Sequence, residues 1–472
     1  MTSNSLRWIK LDNAGKIFPG QNTRRWSNVF RLGVELKEEI DPEILKKALK
    51  ITLERIPSLR VKMKKGFFWN YLEINDMECP VNPDIKNHCY RINFKENNGF
   101  LFRIYYHHNR IGIDFYHSLC DGYGGAVFLS TLTGEYLRLK GHSVSHNQFV
   151  LNVNEEPRDE ELEDAYVRYS SSKAKYISDE THVYHKRGTE LPLHLCNYTV
   201  CTMSLEKLRE LSKGYGVTIT ELFAAILLDI HYRKQLSEGK TKKEVSVQIP
   251  VNLRKAFPSK TLRNFVLCLM VKINPRLGKY TFEEILKKVS LQLKLVNDEK
   301  ALDSLMTRNV NIEKKAVKYV PLALKNFFIG LGFRINAEFS TSVLISNLGV
   351  ITLPEDMKEH VERFFFFTGP GLVNGARCGV VTFGDKVAFT FSNRYKEDDI
   401  EREFLIRLGE LGIPVTVTTN RGDTFSDIDN VLTEVNCRYP ERVFIPTQKD
   451  RKAKINKHKI FFSERLERVF HV

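Results

Sequence analysis

The chain has 472 residues, 42% hydrophobic and 27% charged, with a formal net charge of +15. That apolar content suffices for more than one core. No run reaches the about 18 apolar residues a spanning helix needs, and the basic balance favours anionic partners: nucleic acid, anionic lipid, acidic carrier proteins or phosphorylated cofactors. The most apolar runs, residues 222–228, 327–333 and 364–367, are short. The start, MTSNSLRWIK, lacks the apolar stretch of a secretion signal, so the sequence reads as cytoplasmic. Eight cysteines form no CxxC pair and read as reduced, buried thiols.

Residues 28–36 (NVFRLGVEL) read as a strand. Asp41-Pro42 then opens a helix, with Asp41 as N-cap and Pro42 at the first helical position. Leu45, Leu49, Leu53 and Ile56 give it one buried stripe, and Pro57 stops it. Residues 102–106 and 111–116 read as paired strands around His108, Asn109 and Arg110. Ile111, Ile113 and Phe115 alternate onto one face, as a half-buried strand requires. A helix follows over about 124–139.

Residues 152–190 are first acidic, then rich in Ser, Lys and Tyr, and read as a crossover between two domains. Residues 204–213 form a short helix closed by Gly214. Thr218 to Glu221 and Thr281 to Glu284 are capping boxes opening two further helices. Residues 244–250, 342–345, 379–383 and 387–392 read as strands. The last fifty or so residues are polar and basic. Their run at 449–459, KDRKAKINKHK, lacks the interleaved aromatics of a single-strand-binding surface, and no nucleic-acid motif is present. That run and the amphipathic segment 463–472 suit weak peripheral contact with anionic lipid; a plain solvated run is the ordinary reading.

The sharpest chemical signal is His117-Ser-Leu-Cys-Asp121-Gly122, followed by Tyr-Gly-Gly125, between a strand and a helix. A strand end holds an imidazole in a fixed orientation, and a group with pKa near 6.5 takes a proton from a hydroxyl or amine at neutral pH. Gly122, Gly124 and Gly125 are expected to turn the backbone tightly and bring it close to a ligand. Asp121 is expected to brace the loop through a buried ion pair.

HSLCDG in this context resembles the HxxxDG signature of the CoA-dependent acyltransferase superfamily. That group includes chloramphenicol acetyltransferase, carnitine acyltransferases, plant BAHD acyltransferases, nonribosomal condensation domains, wax ester synthases and alcohol acetyltransferases. Val251-Asn-Leu-Arg254, followed by Leu262-Arg-Asn264-Phe265, looks like the family's second-half segment. Ile345-Ser346-Asn347-Leu-Gly349 looks like a strand end of wax ester synthases and alcohol acetyltransferases. Tyr116 stands where condensation domains usually carry a second histidine, and Thr382-Phe-Gly-Asp385 matches the BAHD DFGWG motif poorly. The chain therefore looks most like the bacterial alcohol acetyltransferase branch.

The resemblance implies an α/β architecture of two-layer sandwiches: two chloramphenicol acetyltransferase-like domains, residues 1–180 and 181–420, with the site in a tunnel between them. Residues 421–472 form an extension it does not explain. It implies His117 as general base, Asp121 and Gly122 as loop support, Arg254 as partner to Asp121, and Asn264 in support. Ser346, Asn347 and the Gly122 backbone are candidate oxyanion donors. It implies acyl-CoA, or an acyl carrier protein, as donor to an alcohol or amine, with no bound cofactor, no metal and no nucleic acid. A non-catalytic relative with the same channel is the alternative.

Competing constellations are weaker. Cys120 could be a nucleophile only as an activated thiolate. His182 and His185, with His194 nearby, lack a clear third and fourth ligand for zinc. His107-His108 reads as a strand end and turn, and Arg421-Gly-Asp423 as a turn.

Overall fold

The structure, a computed structural model, describes residues 8–23, 26–85, 87–171, 182–192, 195–316, 318–332, 340–371, 373–421 and 433–435. The basic run 449–459, the segment 463–472, His194 and the Gly-Asp of the 421–423 tripeptide lie outside them.

The strands are β1 (Trp8–Lys10), β2 (Val29–Leu36), β3 (Val61–Lys65), β4 (Asn70–Ile74), β5 (Val81–Pro83), β6 (Phe102–His107), β7 (Arg110–Tyr116) and β8 (Asn197–Ser204), followed by β9 (Val245–Asn252), β10 (Val266–Ile273), β11 (Val343–Val350), β12 (Val361–Thr368), β13 (Ala376–Phe383), β14 (Lys386–Asn393), β15 (Thr416–Thr419) and β16 (Thr433–Val435). They form a small sheet β1-β4-β3, a five-stranded sheet β12-β2-β7-β6-β5 and an eight-stranded sheet β10-β9-β11-β13-β14-β8-β15-β16. Each large sheet carries helices, giving the mixed α/β architecture expected from the sequence.

Local chemistry sets the helix ends. Asp41 caps the helix Pro42–Arg55 by accepting from the amides of Glu43 and Ile44, and its stripe Leu45, Leu49, Leu53 and Ile56 is buried. Both capping boxes form, at the starts of Ile219–Ser237 and Phe282–Val296. The helix Leu205–Gly214 ends differently from expectation. Gly214 is its last residue, and Gly216, at φ 67°, makes the left-handed turn.

β6 and β7 pair antiparallel, with His108 in the turn at φ 49°. β7 is not half-buried: Gly112, Asp114 and Tyr116 are as buried as Ile111, Ile113 and Phe115. Its second face is occupied by charge. Asp114 accepts from Arg31 on β2 at 2.6 Å and from Arg103 on β6 at 2.8 Å, which compensates a carboxylate that alternation alone assigns to water. On the first face, Phe128 of the helix Gly122–Leu139 packs edge-on against Phe102 and Phe115.

The two large sheets share chain. β12 comes late in sequence yet pairs antiparallel with β2, as the edge of the five-stranded sheet. The crossover contains two short helices, Asp159–Leu162 and Ala165–Tyr169. Glu161 forms a bidentate pair with Arg55 at 2.7 and 2.8 Å, and the Tyr166 hydroxyl meets the Val266 carbonyl at 2.6 Å, so the crossover is pinned to both halves.

Candidate active site

His117 follows β7 immediately, and its amide donates to the Asn28 carbonyl at 2.8 Å, so the ring leaves from a fixed backbone. The imidazole is half-buried. It stacks on Phe18 at 4.6 Å and meets the edge of Phe30 at 5.1 Å. Burial pulls its pKa below the ordinary histidine value, partly offset by the negative charge of Asp121, so the ring is neutral at pH 7.

Its tautomer follows from its neighbour. Asn264 lies between two acceptors and one ring nitrogen. Its Nδ2 donates to the His117 carbonyl at 3.0 Å and to Asp12 Oδ2 at 3.2 Å. That leaves Oδ1, an acceptor only, 3.0 Å from His117 Nδ1. The proton of the neutral ring therefore sits on Nδ1, and Nε2 carries the lone pair. Asp12, buried just after β1, also accepts from the Gly15 amide at 2.6 Å and lies 3.6 Å from Arg263. Asp12, Phe18 and Phe30 were not singled out by sequence reasoning, and no motif or spacing marks them.

Asp121 faces away from the imidazole. One oxygen accepts from the Gly124 amide at 3.0 Å, making Asp121 the N-cap of Gly122–Leu139. The other accepts from Arg254 Nη1 at 2.7 Å and from the Phe265 amide at 2.8 Å. Arg254 is itself spent on the Thr261 and Arg263 carbonyls and on Asn252, and its guanidinium lies over the Tyr123 ring at 4.6 Å. Segment 252–265 thus wraps the loop after His117 from the second half.

The glycines act differently from expectation. None of Gly122, Gly124 and Gly125 has a positive φ. A Cβ on Gly122 would lie 2.2 Å from Leu348 Cδ2, and one on Gly124 would lie 2.0 Å from the Leu262 carbonyl oxygen. At Gly122 and Gly124 the missing side chain makes room for the second half of the protein, pressed against the loop, whereas a Cβ on Gly125 would meet Leu32, Phe115 and Phe30 of the first half. The Gly122 amide, at the first residue of its helix, has no acceptor within that helix.

Ser346 lies on β11 opposite Gly379 of β13. The Asn347 amide group is already committed: Nδ2 donates to Thr220 at 2.8 Å, and Oδ1 accepts from the Gly349 amide at 2.8 Å. Leu348, not Asn347, is the residue of this segment against the Gly122 position.

Among the described residues, members of the competing constellations are otherwise engaged. Cys120 is buried and its thiol is pushed well above the ordinary range by burial, the opposite of an activated thiolate. His185 is hydrogen-bonded to Asn374 at 2.8 Å. Among the described residues, one group could gather around a metal: Glu38, His142 and His360, with ligand atoms within 4.8 Å of one another. Glu38 is already engaged by Lys140 at 2.7 Å and by His142 at 3.0 Å. This group stands beyond the far end of the 18-residue helix that starts after the His117 loop, about 27 Å along its axis.

Two sheet-and-helix halves, a strand lent by the second to the first, and a histidine at the end of a central strand where they meet make the fold of the CoA-dependent acyltransferases and condensation domains. Solved structures bear this out. The trichothecene 15-O-acetyltransferase TRI3 from Fusarium sporotrichioides superposes with a TM-score of 0.54 at 13% identity, covering 87% of this chain and 98% of that one. TRI101 of F. graminearum, complexed with coenzyme A and deoxynivalenol, gives 0.56 at 13%, covering 84% and 96%. A mutant starter condensation domain of rhizomide synthetase, in complex with C8-CoA, gives 0.57 at 13%, covering 87% and 95%. No protein-family model matches the chain, and no curated protein sequence does.

Proposed function

We propose that this chain is an acyltransferase that moves an acyl group from a CoA thioester to an alcohol or amine, with His117 as general base. The observation that carries the reading is the hydrogen bond from His117 Nδ1 to Asn264 Oδ1, which leaves Nε2 as a proton acceptor on a neutral ring. Nε2 takes the proton of the acceptor hydroxyl or amine as its oxygen or nitrogen bonds to the thioester carbonyl carbon. The tetrahedral intermediate collapses with loss of the carbon–sulfur bond, and the thiolate recovers the proton from His117. No acyl-enzyme is needed. The oxyanion takes hydrogen bonds from the Gly122 amide and the Ser346 hydroxyl.

The structural neighbours that hold CoA or C8-CoA support a CoA-linked donor. A short acyl group and a small alcohol acceptor, as in the alcohol acetyltransferase branch, follow from the sequence resemblance. The condensation-domain neighbour gives specific ground for a second reading, in which a carrier protein presents the acyl group. Thiol release from acyl-CoA, measured with a panel of alcohols and amines, tests the proposal. His117→Ala is expected to lower the rate about 100- to 10,000-fold with the fold intact. Wild-type thiol release in that variant would overturn the mechanism. Turnover with a carrier-loaded donor and none with free acyl-CoA would favour the second reading.

A further inference from the structure

Large apolar side chains belong inside, and a monomer seldom exposes a contiguous apolar patch of more than a few hundred Å² without using it. Here three separate segments bring such side chains to one place. The β3–β4 turn carries Phe67, 74% exposed; Tyr319 is 74% exposed; and the helix Leu322–Gly332 presents Leu324, Phe327, Phe328 and Leu331 at 54%, 65%, 62% and 47%. They form one surface. The Leu322 amide donates to the Phe67 carbonyl at 2.9 Å, and Phe68 meets the edge of Tyr319 at 6.3 Å. Beneath them Lys325, 2% exposed, lays its ammonium 3.4 Å from the centre of the Trp69 ring, locking helix to turn.

The charge around this surface is predominantly positive. Residues 61–71 and 314–332 contain seven lysines and no Asp or Glu. Lys64, Lys65, Lys314 and Lys318 are exposed. Two acids lie nearby: Glu73, 3.7 Å from Lys62 and Lys64, and Glu313, which is already paired with Lys16 at 2.5 Å. Aromatic and leucine side chains ringed by lysines match the interface of an anionic bilayer, where rings enter the headgroup layer and ammonium groups meet lipid phosphates. A protein partner would also have to match this predominantly positive rim. We infer that this surface docks the protein onto anionic lipid membranes. It lies close to the candidate site: the helix Leu322–Gly332 packs on Phe18–Gln21 through Ile329 and Gly20, and Phe18 stacks on His117.

Co-sedimentation of the full chain with phosphatidylcholine vesicles, with and without about one-third phosphatidylserine, tests this. It reads binding without turnover, so the result stands apart from the acyltransferase reading. The wild-type chain is expected to sediment with the anionic vesicles at low salt and to be released by high salt. Phe327→Ser with Phe328→Ser, and separately Lys64→Glu with Lys65→Glu, are expected to weaken binding roughly tenfold or more. All four side chains are exposed, so thermal melts should match wild type. Failure of the wild-type chain to bind would overturn the inference. So would undiminished binding by both variants, the result if the run 449–459 carried the contact. A concentration-dependent dimer abolished by the Phe327/Phe328 change, without vesicle binding, would assign the surface to a second copy and overturn it too.

Discussion

Neutral imidazole has two tautomers, and only the form protonated at Nδ1 leaves Nε2 able to accept a proton. In many enzymes a carboxylate selects that form and also stabilises the charged ring. Here an uncharged amide selects it, with the Asp12 carboxylate one group further away. The ring is thus oriented without a directly bonded anion to raise its pKa, and burial keeps the pKa low. The sign of the pH effect follows. Protonated His117 is inactive, so kcat/KM should be flat from pH 8 to about 6.5 and fall only below that, where a solvent-exposed histidine would already be half-protonated. Replacing Asn264 by Ala frees the ring to flip, and kcat should fall about 10- to 100-fold with little change in KM for acyl-CoA. A rate profile whose acid limb lies well above pH 6.5, or an Asn264→Ala enzyme with wild-type kcat, would refute this arrangement. His117 was legible in the sequence because its cues are local: a strand, a turn, a helix. Asn264 was legible only through the resemblance. Asp12 was not, because it meets Asn264 across 252 positions and sits in no periodic pattern.

At the scale of elements, the helix Gly122–Leu139 shows how one segment reports on another. Its N-cap, Asp121, is held by Arg254 and the Phe265 amide, and its first turn is glycine-rich because Leu262 and Leu348 occupy the space a side chain would take. Gly124→Ala would drive a methyl into the Leu262 carbonyl, which is backbone and cannot swing aside. A loss of about 3 kcal/mol or more is expected in denaturant unfolding. Gly214→Ala is the contrast. That glycine is helical, without positive φ, and nothing lies within 4 Å of its added Cβ. It should be neutral or stabilising by up to about 1 kcal/mol. Equal effects at the two positions would show that close packing is not what the motif's glycines serve. Removing Arg254 leaves a buried carboxylate with one partner fewer, and Arg254→Ala should cost about 3–5 kcal/mol. The capping boxes at Thr218 and Thr281 were legible because the groups that satisfy one another lie three residues apart. The partner of β12 was not. A run such as Phe364–Phe367 announces a strand, but pairing with β2 lies in the sheet and not in the local chain.

Across the whole molecule the halves are joined by shared strand and by contacts that tolerate no new charge. His88 shows this most directly. Its ring stacks on Tyr198 of β8 at 3.7 Å and lies 4.8 Å from Phe367 of β12, so a loop of the first half is clasped by two strands from later in the chain. The Tyr198 hydroxyl donates to the His88 carbonyl, and among the described residues the buried His88 Nε2 has no hydrogen-bond partner. Burial and the charges of Arg31 and Arg103 hold its pKa well below the usual value. In the second half, burial lowers His231 to about 4 while its Nδ1 bonds the Leu227 carbonyl. Both groups are neutral when folded and take up protons near pH 6.5 when unfolded. Between about pH 6.5 and 4 the unfolded chain therefore binds more protons than the native one. The stability these histidines allow is complete above pH 6.5 and is lost progressively as pH falls toward 4. For His231 alone the loss amounts to about 3 kcal/mol. Thermal melts from pH 8 to 4.5 should show a plateau and then a decline. His231→Gln should flatten that decline, and His88→Phe, which keeps the stacking without the proton site, should flatten it further. The two effects should add, because the sites sit in different halves. A melting temperature that starts to fall only below pH 4.5 would mean that these rings take up protons in the folded state at little cost, contrary to their burial.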